Sequence, residues 1–144
     1  MDDASRVAAL MGGKKVLGRT VETISDLRSA VESGLPKSAL KCVVAHVARE
    51  ESAQRALMHK LVPEPTLRRL GRRLNLMGSE RTERLARTTA LAQDVWGDDD
   101  DARAFMTTPH AMLGGRTPAE MAVTDLGARE VEGILWSIAH GSPI

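Results

Sequence analysis

Aromatic side chains are nearly missing from this chain: one Phe, two Trp and no Tyr. A core must then be assembled from Ala, Leu, Val and Met, a palette that suits closely packed helices better than sheets. A single cysteine, Cys42, excludes an internal disulfide, and with no His or basic pair beside it in sequence it reads as a buried spacer rather than a reactive thiol. No apolar stretch reaches membrane-spanning length and no signal-peptide pattern opens the chain, so the expected setting is a reducing cytoplasm, off the membrane. No alternating run is long enough for a strand, and no internal repeat appears.

Chemistry-bearing patterns are equally sparse. His46, His59, His110 and His140 are far apart and offer no ligand pair at i, i+4 spacing, so no metal site is expected. The run Asp98 to Asp101 lacks the alternation, central glycine and terminal Glu of a calcium loop and reads as a helix cap with solvated neighbours. Gly12-Gly13-Lys14-Lys15 lacks the spaced first glycine and the Ser/Thr after Lys that a phosphate loop needs. Without a Ser/His/Asp order, paired-carboxylate motif or nucleotide fingerprint, the chain is expected to be no enzyme and to carry no cofactor.

What is present is helical punctuation and a polarity of charge. At 144 residues and 42% apolar content, one domain or two very small ones can form a core. The net charge of +1 conceals an asymmetry: residues 1–90 hold 17 Lys/Arg against 10 Asp/Glu, whereas residues 91–144 hold 3 against 9. Opposite signs on the two parts suggest two different partner surfaces.

Residues 1–24, with glycines at 12, 13 and 18, read as a mobile arm with one short helix. Ser25 is placed to cap a helix carrying Leu27 and Val31, stopped by Gly34 and Pro36. Spacing then predicts helices near 37–49, with Leu40, Val43, Val44 and Val47 on one face, 52–60 and 64–75. Ser79 is read as the cap of a longer helix to Trp96, ended by Gly97, and Asp98 opens a short helix burying Ala102, Phe105 and Met106. Thr117-Pro118-Ala119-Glu120 forms a capping-box pattern, and a last helix near 125–139 packs Ala128, Val131, Leu135 and Ile138. The expected fold is all-α.

On a helix over 64–75, Leu67, Leu70 and Leu74 share one face while Arg68, Arg69, Arg72 and Arg73 lie opposite. A short helix, a tight turn and an arginine-faced second helix is the pattern of a helix-turn-helix. Thr66 and Arg69 are placed near its start to reach base edges or phosphates, and Arg68, Arg72 and Arg73 to hold the DNA backbone. The alternative is a solvated arginine face on an ordinary surface helix, and Glu64 at its start would repel phosphate.

The densest string of motifs follows Trp96: Gly97 and the acidic run, Ala102, Phe105-Met106, Thr108-Pro109, the turn Leu113-Gly114-Gly115-Arg116-Thr117-Pro118, then Gly127-Ala128, Val131 and a stop at Gly141. It resembles the C-terminal toxin-binding domain of the Xre/MbcA/ParS antitoxins, with Phe105-Met106 where that family usually has Trp-Leu. Ser79-Glu80-Arg81 and Glu83-Arg84-Leu85 extend the likeness back to about residue 35. The resemblance implies an Xre-like helix-turn-helix lobe at 25–78 and a small helical toxin-binding lobe at 79–144, with the helix near 79–96 as a joint that also dimerises. It implies a partner with a RES domain that consumes NAD or uses it for ADP-ribosylation, and repression of the antitoxin's own operon at operator DNA. Toxin contact would fall on Leu113, Gly114, Gly115, Arg116, Thr117 and Pro118, and on His140, Gly141, Ser142, Pro143 and Ile144, a tail suited to a cleft that binds an anionic dinucleotide. A stand-alone helix-turn-helix transcription regulator is the first rival reading and a small helical enzyme the second.

Overall fold

The computed structural model describes residues 3–141, which form ten helices and no strand. In chain order they are α1 (Asp3–Leu10), α2 (Gly13–Leu17), α3 (Ile24–Glu32), α4 (Lys37–Val47), α5 (Glu51–Leu61), α6 (Glu64–Arg69), α7 (Leu76–Trp96), α8 (Asp99–Thr107), α9 (Pro118–Met121) and α10 (Asp125–His140), with a 3-10 turn at Ala111–Leu113. The all-α expectation holds.

Central to the packing is α7, which touches α1, α3, α4, α5, α8 and α10. Its sequence explains how one helix accepts so many neighbours: the buried positions are mostly small, among them Gly78, Ser79, Thr82, Ala86, Thr89, Ala90 and Ala92. Small side chains let neighbouring helices approach on several sides, and the hydroxyls cost little because each is bonded. Thr82, Thr88 and Thr89 donate to the carbonyls of Gly78, Arg84 and Leu85 at 2.7, 2.8 and 2.7 Å, the i−4 pattern open to Thr in a helix. Buried Ser79 accepts from the amide of Leu35 at 2.9 Å. It is therefore a tertiary anchor and not the expected cap; Asn75 caps α7 through Gly78 N at 2.9 Å. Around α7, residues from Ala4 to Leu135 join one hydrophobic cluster that includes Val7, Met11, Leu40, Val43, Leu61, Leu85, Met106 and Val131.

The opening residues, expected as an arm with one short helix, contain two helices, and Val7, Leu10 and Met11 of that stretch are buried. Arg6 fastens α1 to α7 by donating to Ala90 O at 3.0 Å and pairing with Asp94 at 3.4 Å. The cap of α3 is Thr23 in place of Ser25: its hydroxyl accepts from Asp26 N while the Asp26 carboxylate accepts from Thr23 N, a full capping box. Those backbone bonds, with Arg19 nearby, hold the Asp26 carboxyl below its ordinary range.

Charge asymmetry along the chain is partly neutralised inside the fold. Asp94, Asp100 and Glu120 of the acidic part pair with Arg6, Arg49 and Lys60 of the basic part. Such half-exposed pairs add little stability, but they fix where the two parts meet.

Candidate functional site

The arginine-rich segment is a short helix followed by an extended strap. Helix α6 ends at Arg69, and Leu70 is already in an extended conformation. The helix expected over 64–75 is thus corrected to 64–69, and the arginines do not share one helical face. Backbone pairing across the fold replaces the lost turns: Lys37 N donates to Arg72 O at 2.9 Å and Leu74 N to Leu35 O at 2.7 Å. Side chains reinforce it, Lys37 Nζ donating to Leu70 O and Arg73 to Gly34 O, both at 2.7 Å. Arg68 pairs with Glu64 at 2.8 Å. Thr66 is half-buried, and Arg69 and Arg72 are exposed on α6 and on the strap. The short α5, the two-residue link Val62-Pro63 and α6 still give a helix, a turn and a helix.

A second candidate surface starts at the glycine turn. His110 N donates to Arg116 O at 3.0 Å and Gly115 N to His110 O at 3.1 Å, closing the loop on itself. Gly114 and Gly115 sit at φ 66° and 81°, where a side chain would be strained. Leu113 is the buried peg of this turn and Pro118 is buried at the start of α9, so both act in packing. Thr117 caps α9, accepting from Glu120 N at 3.1 Å while its hydroxyl donates to the Glu120 carboxylate. Gly114, Gly115 and Arg116 are left exposed. Arg116 lines a hollow of about 340 Å³ with Lys60, Glu120, Leu126 and Glu130, so the turn, the end of α5 and the start of α10 share one concavity.

Helix α10 explains the Gly127-Ala128 motif. A Cβ at Gly127 would lie 2.0 Å from the carbonyl oxygen of Met121, so only glycine lets α10 start this close to α9. Thr124 caps the helix through Gly127 N at 3.0 Å, and Gly141, at φ 64°, ends it. Ala128, Val131, Ile134 and Leu135 face the core. The opposite face carries Leu126 and Trp136, exposed by 71% and 56%, which is high for side chains of that size. Trp136 stacks on His140 with ring centroids 4.2 Å apart, and the His140 ring nitrogen bonds Trp136 O at 2.8 Å. Sequence reading named His140 and the turn but missed Leu126 and Trp136. The missed signal was two large apolar residues on the solvent side of a helix whose inner face was already full. His140 and Gly141 are exposed, and Ser142, Pro143 and Ile144 lie outside the described residues.

The remaining aromatics gather at the far end of α7. Phe105 lies 6.1 Å from Trp96 and 6.4 Å from His110, a cluster that ties α8 to the turn. Burial pushes the Glu83 carboxyl on α7 above its ordinary range, and the guanidinium groups of Arg87 and Arg84 only partly oppose this. No group of three metal-ligating side chains occurs among the described residues, and none of their helices is long and apolar enough to cross a membrane.

Residues 91–141, from the end of α7 through α10, match the family described as the antitoxin Xre/MbcA/ParS C-terminal toxin-binding domain. The chain is 36% identical over 63 residues to the antitoxin Xre of Pseudomonas putida, an alignment that covers 44% of this chain and 40% of that relative. It is 27% identical over 139 residues to the antitoxin Xre of Yersinia enterocolitica serotype O:8, covering 96% of this chain and 83% of that relative. The turn, α8, α9 and α10 described above make up most of the matched segment, so it is this part of the chain that is similar to the toxin-binding domain of the Xre/MbcA/ParS antitoxins.

Proposed function

We propose that this antitoxin neutralises a RES-domain toxin that degrades NAD or transfers ADP-ribose from it, by docking residues 91–141 over the toxin and occluding its NAD site. The observation that carries the reading is the match of a toxin-binding domain to the acidic part of the chain, where the exposed glycine turn, Arg116 and the end of α10 lie on the surface. A cleft for an anionic dinucleotide presents cationic side chains and N–H donors, so an acidic, carboxylate-bearing blocker suits it. Residues His140 to Ile144 are the segment assigned to the cleft, and the turn Leu113 to Pro118 is assigned to holding the domain in place. The antitoxin also represses its own operon as a homodimer, with α5 and α6 as the helix-turn-helix and Thr66, Arg68, Arg69, Arg72 and Arg73 toward operator DNA. Of these, exposed Arg69 and Arg72 are the phosphate contacts, because Arg68 and Arg73 already bond Glu64 and Gly34.

Co-expression with a RES-domain toxin whose gene neighbours this one tests the reading. Cells should recover growth and keep their NAD, and removing Ser142 to Ile144 should weaken neutralisation far more than complex formation. Unchanged rescue by the truncated chain would place the block elsewhere. For DNA, Arg69→Ala and Arg72→Ala should each make the slope of log K against log salt shallower by roughly 0.9 for every phosphate no longer neutralised. A slope that ignores both substitutions would leave these arginines as a solvated surface and favour a partner set without DNA.

A further inference from the structure

We infer that the outward face of α10 is the docking ridge for the toxin, with Gly133 as the point where the toxin's backbone comes closest. This rests on the functional reading above and adds the surface that carries it. At ~100° per residue, Leu126, Arg129, Gly133, Trp136 and His140 fall within an arc of about 80°. They form one stripe about 20 Å long, from the hollow beside Arg116 to the end of the helix.

Three observations point the same way. Leu126 and Trp136, near the two ends of the stripe, are the exposed large apolar side chains of α10, and Trp is the residue type that most often anchors a protein interface. Gly133 lies between them in mid-helix, where glycine weakens a helix relative to alanine. The fold gives no reason for it: a methyl on its Cα would meet nothing within 4 Å, and its φ is not in the left-handed region. A bare backbone patch between two apolar anchors lets a partner's main chain or helix settle against the ridge. The flanks are acidic, since Glu130 and Glu132 enter no ion pair among the described residues while Arg129 is taken up by Asp125 at 3.2 Å. The occupant is therefore an apolar patch with a basic rim. The surroundings of an NAD-binding cleft supply that rim, which favours the toxin over a second copy of this chain, whose matching face would be acidic too.

The test uses the full chain and a purified RES-domain toxin whose gene neighbours this one. Trp136→Ala should weaken the complex by about 30-fold, the scale of an anchoring residue. Gly133→Gln should weaken it at least tenfold while raising the thermal midpoint of the free antitoxin, because a helix former replaces glycine at an open position. This opposition of sign separates a docking role from a folding role. Affinities unchanged in both variants would overturn the inference while leaving toxin binding itself intact. Light scattering in which Gly133→Gln dissociates a dimer without touching toxin affinity would assign the ridge to self-association and overturn it as well. If the unsubstituted chain forms no complex, the functional reading fails and this inference falls with it.

Discussion

Two segments of this chain carry the same apolar-and-polar spacing, and only one of them becomes a long helix. Residues 125–140 run as sixteen helical residues in α10, whereas α6 stops after six. The difference lies at the ends and in the neighbours. Helix α10 opens with a Thr124 hydroxyl on Gly127 N and closes on a left-handed glycine, and its apolar face fits over α7 and α9. Helix α6 has no side-chain cap at Pro63, and a six-residue helix hardly offsets the cost of its first turn. Beyond Arg69, the backbone groups of Arg72 and Leu74 find partners at Lys37 and Leu35 instead of within a helix. Periodicity proposes a helix; competition for the backbone hydrogen bonds decides whether it continues.

The largest effect should come from unseating the start of α10. Gly127→Ala drives a methyl to 2.0 Å from Met121 O, a backbone atom that cannot turn aside. The junction of α9 and α10 must open, at a cost of about 3 kcal/mol. Urea unfolding measures this, and a loss below about 0.5 kcal/mol would mean that the junction is softer than its close approach implies.

Breaking the other member of the comparison takes one atom. Leu35 N is bonded to the Ser79 hydroxyl, and Leu35 O receives Leu74 N, so Ser79 supports the strap through Leu35. Ser79→Ala leaves an amide of a residue only 1% exposed without its partner, which costs about 1–3 kcal/mol. Amide exchange should accelerate at Leu35 and Leu74 and stay slow at Val131 and Leu135. Equal acceleration in both places would show that the strap and α10 unfold together and that Ser79 supports the whole core.

Much of the helix pattern was legible because its signals are local. Gly34 with Pro36, Gly97, the Asp98 cap, Thr117-Pro118 and Gly141 all punctuate the chain within a few residues, and each falls where the structure places an element end or turn. Ser25 and Ser79 misled for one reason: a hydroxyl before an apolar run looks like a cap wherever it points. Thr23 had the better partner in Asp26, and Ser79 was engaged by Leu35, 44 residues away. The strap at 70–75 was illegible because its bonds are long-range. For the candidate surface, sequence motifs marked the turn and the end of α10, but several motif residues proved to be packing residues: Leu113 and Pro118 are buried and Gly127 is a close-contact point. Exposure of Leu126 and Trp136 follows from how much of α10 the core already occupies, which only the assembled fold shows.

The smallest effect concerns how α10 lies on α7. Glu83 sits on α7 with Glu132 of α10 and Glu80 nearby, and burial outweighs the attraction of Arg87, 3.4 Å away, so its carboxyl is held above the ordinary range. A carboxyl raised in this way binds its proton more tightly in the folded chain than in the unfolded one. Its stability contribution is therefore fully present below the unfolded value of about 4.5 and is lost as pH rises through the folded value. Glu83→Gln removes the charge that burial penalises, so at about pH 7 the variant should be slightly more stable than the parent, with the difference shrinking at about pH 4, below the ordinary value, where Glu83 is already protonated in the fold. Paired urea midpoints at the two pH values measure it. A variant less stable at neutral pH would show that the bond to Arg87, made within α7 itself, outweighs the cost of burying Glu83 where α10 lies on α7.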